Sequence, residues 1–87
     1  MTDMLTIEFP CDYPIKIIGL GEDGFAARML GIVQRHAPEV EGFRMRARES
    51  RNGKYLSITV SIWASGEAQL RDLHRDLISD PDVKMVL

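Results

Sequence analysis

Three arginines recur at every second position in this chain: Arg44, Arg46 and Arg48. In an extended strand that spacing puts the guanidinium groups on one face, about 7 Å apart. A guanidinium fork grips carboxylates and other anions through paired N–H donors, so the row is a candidate carboxylate site. A structural alternative stands beside it. Charges along an edge strand discourage pairing with other chains, and Glu8 or Glu41 would then supply counter-charge. A second candidate is the polar row Ser57, Thr59 and Ser61, flanked by Tyr55 and Trp63. Every residue of that row is small or aromatic and none is charged, which is unusual for a face left to water. The third candidate is Gly19-Leu20-Gly21-Glu22-Asp23-Gly24, which matches the G-x-G-x-x-G pattern between a strand and a helix. Glu22 and Asp23 place negative charge where a pyrophosphate would sit, and 87 residues are too few for the parallel sheet that uses the motif. The stretch therefore reads as a glycine-rich turn with Asp23 as helix N-cap, or as a turn whose backbone donors meet a small ligand.

Catalytic chemistry finds little to build on. Cys11 is the single cysteine, sits beside Pro10, and has no base near it in sequence. His36 and His74 fall on apolar arcs of different helices, where a histidine reads as a packed, hydrogen-bonded residue. Cys11, His36 and His74 show no metal-ligand spacing, and the carboxylates are scattered with no pair set for acid–base work. The expectation is a chain that is not an enzyme and holds neither metal nor cofactor.

The elements that position these residues follow from periodicity. Leu56, Ile58, Val60 and Ile62 alternate with the polar row, so Tyr55 to Ala64 is a half-buried antiparallel strand. The lead-in Phe9 to Pro14 is irregular, Pro14 opens a short first strand, and Ile15 and Ile17 face the core. A helix follows with Phe25, Met29, Ile32, Val33 and His36 on one face, widened by Ala26 and Leu30, until Pro38 stops it. Phe43 to Ser50 alternates again, with Phe43, Met45 and Ala47 opposite the arginines. Asn52-Gly53 between two alternating runs is a hairpin signal. Ser65 caps a second helix whose apolar stripe is Leu70, Leu73, Leu77 and Ile78, with His74 inside the arc. A last strand aligns Val83, Met85 and Leu87.

The order β-α-β-β-α-β is the ferredoxin-like α+β pattern. Right-handed crossovers pack both helices on one face of a four-stranded antiparallel sheet, with strand order 4-1-3-2. One domain spans residues 1–87, with Met1 to Glu8 as a loose arm. With 45% apolar and 28% charged residues the composition is that of a globular domain, and no apolar run approaches the ~20 residues that span a bilayer. The start, MTDMLTIEFP, lacks the basic and apolar segments of a signal peptide, so a cytoplasmic location is expected. Nucleic acid is a poor fit. Net charge is −2, Tyr55 and Trp63 sit at opposite ends of their strand, and the first strand offers Lys16 and Ile18 where a stacking ring would be needed.

Several segments together resemble the YbeD-like family of small bacterial proteins. They are Glu8-Phe9-Pro10-Cys11, Pro14 to Gly19, Ile32 to Pro38, Gly53 to Val60, and Val83 to Leu87. The family carries the label of lipoate-binding regulatory protein, and its fold resembles ACT regulatory domains. The resemblance implies a βαββαβ fold and no established catalytic residues. It also implies small-metabolite binding near the first strand–helix turn, often at a dimer interface. Leu73-His74-Arg75 departs from the family, which commonly has an aromatic after the leucine. The resulting expectation is a regulatory module for a carboxylate metabolite, lipoate included, with protein–protein binding through the open sheet as the alternative. The site is expected among Gly19, Gly21, Glu22, Asp23, Arg44, Arg46, Arg48, Ser57, Thr59, Ser61 and Trp63. A homodimer would cover the open face and offer a site at the seam.

Overall fold

The computed structural model describes residues 8–87, apart from the side chain of Phe43. The expected loose arm therefore lies outside the described residues except for Glu8, and so does the inward orientation expected for Phe43. The chain forms β1 (Cys11–Leu20), α1 (Phe25–His36), β2 (Met45–Glu49), β3 (Tyr55–Ala64), α2 (Glu67–Ile78) and β4 (Val83–Val86). A short 3-10 turn, Gly42–Arg44, leads into β2. The sheet runs β2-β3-β1-β4 with every pair antiparallel, which is the expected order read from the other edge.

Register places Ile15 opposite Val60 and Ile17 opposite Ile58. These residues, with Ile62, form one buried cluster with Phe25, Met29 and Val33 of α1 and Leu73 and Leu77 of α2. Both helices thus cover one sheet face. The other face carries Asp12, Lys16 and Ile18 of β1, Ser57, Thr59, Ser61 and Trp63 of β3, and Arg46 and Arg48 of β2.

Several local expectations are corrected. β1 begins at Cys11, four residues before Ile15, so the lead-in is largely strand. Pro14 pairs with Ser61 inside it. The strand tolerates a proline there because β4 reaches only as far as Lys16, whose N–H and C=O exchange bonds with Leu87 at 3.1 and 2.8 Å. Beyond that point β1 is an edge, and a missing N–H costs nothing. In the other direction, β2 starts at Met45, so Arg44 belongs to the 3-10 turn and not to the strand.

Both helix caps fall one residue later than the sequence suggests. The first bond of α1 runs from Arg28 N–H to the Gly24 carbonyl at 3.0 Å, and Gly24 holds a left-handed φ of 85°. Asp23 stands too early to cap. Gly66 likewise occupies the cap position of α2, and Ser65 precedes it. Gln69 reaches back instead. Its Oε1 accepts the Ser65 N–H at 2.7 Å, and its Nε2 donates to the His36 carbonyl at 2.7 Å.

Three apolar-arc assignments also change. Ile78 is 51% exposed and His74 is exposed, while the residues just before them, Leu77 and Leu73, take the buried positions. A bulge between Ile18 and Gly19 shifts β4 so that Val83 and Val86 pack against the core. Met85, expected inside, is paired with Ile18 on the open face and is 50% exposed.

Candidate functional site

The glycine-rich turn and the open sheet are separate places, and they differ in how many of their polar groups the described fold already uses. In the turn, the donors expected to be free are largely taken. Leu20 N–H bonds the Asp82 carbonyl at 3.0 Å, and Gly21 N–H bonds the Lys54 carbonyl at 2.9 Å. Glu22 N–H bonds Leu20 and Phe25 N–H bonds Glu22, at 2.9 and 3.1 Å. The first two glycines answer to close packing. A Cβ on Gly19 would stand 2.3 Å from the Phe25 ring, and one on Gly21 would stand 2.6 Å from the Gly53 carbonyl oxygen. Glu22 and Asp23 point into solvent. The motif joins a strand, a helix and a hairpin, and a carboxylate ligand would meet Glu22 and Asp23 there first.

The open face is different. Arg46 lies opposite Thr59, which lies opposite Lys16, and Arg48 lies opposite Ser57. Cross-strand partners share a face at about 5 Å between Cβ atoms, so cations and hydroxyls are interleaved. Arg44, although outside the strand, lines the same surface. It shares a solvent-open concavity of about 470 Å³ with Arg46, Thr59 and Ser61. It also shares one of about 320 Å³ with Asp12, Glu39, Val40, Ser61 and Trp63. A third, of about 270 Å³, lies toward the other end of the strand among Lys16, Ile18, Arg48, Glu49, Ser57 and Tyr55. The three are spaced along β3, with Trp63 57% exposed at one end.

Among the described residues, Arg44, Arg46, Arg48 and Lys16 have no carboxylate within 4 Å; the ion pairs lie on the helical layer. The counter-charge expected from Glu8 or Glu41 is not there. Four cations line these concavities together with the carboxylates Asp12, Glu39 and Glu49, in a protein of net charge −2. Asp12 and Glu39, missed as site residues, were hidden because Pro14 concealed the early start of β1 and Glu39 belongs to no periodic element.

The helical layer holds the remaining titratable pairs. His36 Nε2 lies 2.6 Å from Asp76 Oδ2 and ties α1 to α2. The hydrogen bond with His36, aided by Arg35 and Arg75, holds the Asp76 carboxyl below its ordinary range. Arg28 bridges Asp80 and Asp82 at 3.1 and 2.7 Å, and this hydrogen bond lowers the Asp80 carboxyl and raises Arg28. Cys11, at the start of β1, is half-buried. Thus His36 and the aspartates belong to helix packing, and His74 is an exposed residue of α2.

Comparison with known proteins agrees with this architecture. A family model described as "Protein of unknown function (DUF493)" matches residues 5–87. A UPF0250 protein of Azotobacter vinelandii is 49% identical over 82 residues, covering 93% of this chain and 89% of the relative. The UPF0250 protein NE1487 of Nitrosomonas europaea is 44% identical over 87 residues, covering both chains fully. In structure, HP0495 from H. pylori is similar with a TM-score of 0.72 at 18% identity, over 100% of this chain and 93% of that one. The ACT domain from GTP pyrophosphokinase of Chlorobium tepidum is similar with a TM-score of 0.64 at 16% identity, over 88% and 97%. At such identities the likeness is one of fold, and it matches the four-stranded sheet with two helices described above. The family expectation holds: this chain belongs to the DUF493/UPF0250 family, the YbeD-like proteins, with an ACT-like α+β fold.

Proposed function

We propose that this chain is a non-catalytic regulatory module that binds a carboxylate-bearing ligand or partner on the open face of its sheet. One observation carries the reading. Arg44, Arg46 and Arg48 line open concavities on one sheet face beside the hydroxyls of Ser57, Thr59 and Ser61, and among the described residues none of the three forms an ion pair within 4 Å. Unpaired guanidinium forks next to hydroxyl donors are pre-set for carboxylate oxygens, and nothing internal must be displaced first. Lipoate enters as one such carboxylate, with Trp63 offering its chain an apolar surface. The glycine turn is the weaker place because its donors are engaged in the fold.

The regulatory part of the reading draws on the ACT-like fold, whose C. tepidum example is the ACT domain from a GTP pyrophosphokinase. Thermal shift with lipoate, octanoate, glutamate and poly-glutamate tests the proposal. A ligand that binds only the native state at about 100 times its Kd adds roughly 2.7 kcal/mol and raises Tm by several degrees. At least one of these carboxylates should do so with the wild type and fail with Arg46→Glu. No shift with any of them, or an equal shift in the variant, would overturn the reading.

A further inference from the structure

We infer that the partner on this face is an acidic β-strand of another protein, added to the free edge of β2. The inference rests on the carboxylate reading above and says how the carboxylates are presented. Hydrogen-bond parity locates the free edge. Lys16 spends its N–H and C=O on Leu87, so the Lys16–Thr59 pair is not hydrogen-bonded and Thr59 turns its own groups toward Arg46. The hairpin gives the same answer, because Ser50 N–H bonds the Tyr55 carbonyl at 2.9 Å, two residues on from Arg48. Arg46 and Arg48 therefore pair with β3, and Ala47 and Glu49 direct their N–H and C=O groups away from the sheet. Among the described residues these outward groups have no backbone partner.

Charge selects the occupant. A second copy pairing antiparallel about Ala47 would set Arg46 against Arg48 of its partner, and like charges directly opposite repel. A strand with carboxylates at alternate positions would instead set them against Arg46 and Arg48, and the same period brings the next one toward Arg44. Met45 and Ala47, on the other face of β2, leave room for small apolar residues between the carboxylates. The opposite edge of the sheet is a poorer template. Pro14 sits on it where β1 outruns β4, and a proline there offers no donor to an added strand.

Titration calorimetry with a ten-residue peptide alternating glutamate and valine tests this, with an alternating lysine–valine peptide as control. Ala47→Pro is the diagnostic variant. It removes an outward N–H and leaves the β2–β3 bonds of Arg46 and Arg48 in place, which a circular-dichroism melt at wild-type Tm would verify. The acidic peptide should bind the wild type, lose at least tenfold in affinity with Arg46→Glu and again with Ala47→Pro, and weaken steeply with salt. If a folded Ala47→Pro binds as well as wild type while Arg46→Glu does not, carboxylates are read by side chains alone and strand addition is wrong. If Arg46→Glu also binds normally, or the lysine peptide binds equally well, the carboxylate reading falls with it.

Discussion

Ile58, Val60 and Ile62 are at most 1% exposed, whereas Ser57, Thr59 and Ser61, one residue away each time, line open concavities. The two faces of β3 share one backbone and one set of ladder bonds, so the contrast comes from what covers each face. Helices α1 and α2 take water from the isoleucines, and that burial supplies folding free energy. No element of the chain covers the arginines and hydroxyls among the described residues. Burial and exposure are thus separated residue by residue along β3, and a substitution's face should decide whether it damages stability.

The largest effect should come from the covered face. Ile58→Ala opens a cavity beneath both helices and should cost about 2–4 kcal/mol in urea denaturation. A loss well under 1 kcal/mol would mean that the covered face is not where the stability lies. Gly19→Ala should follow, at roughly 1–3 kcal/mol, because the new methyl meets the Phe25 ring and the Asp82 carbonyl together. Gln69→Ala should cost about 1 kcal/mol, since it strips partners from the Ser65 N–H and the His36 carbonyl. On the open face, Thr59→Ser should stay within roughly 0.5 kcal/mol of wild type, and a larger loss would erase the contrast.

Acid should sharpen the comparison from another side. Asp76 and Asp80 have folded values held below the ordinary 3.8, Asp76 by its hydrogen bond with His36 and Asp80 by that with Arg28. A carboxyl depressed on folding contributes stability above its unfolded pKa and loses it as pH falls toward the folded value. Tm should therefore be level above about pH 5 and decline below it. Asp80→Asn should lower Tm at neutral pH and flatten that acid decline. An unchanged pH profile would show that the Arg28 clasp contributes nothing to folding.

By itself the sequence determined the element order and the inward face of β3. Period two and period 3.6 are local properties, written into Leu56 to Ile62 and Phe25 to Val33, and helix-covered burial follows from them. It also determined the arginine row, because alternation carries through Arg46 and Arg48, and Arg44 keeps the face even in its 3-10 turn. Family and fold were legible for the same reason, since they rest on segments along most of the chain. Where a neighbouring element sets the outcome, local pattern was not enough. Met85 faces out because of a bulge opposite Gly19, and Pro14 sits inside a strand because β4 ends early. The turn from Gly19 to Gly24 resembles a ligand loop in sequence, but Asp82 and Lys54, at least 30 residues away along the chain, occupy its donors. Whether a polar group is free is a property of what packs beside it, and only the tertiary structure decides that.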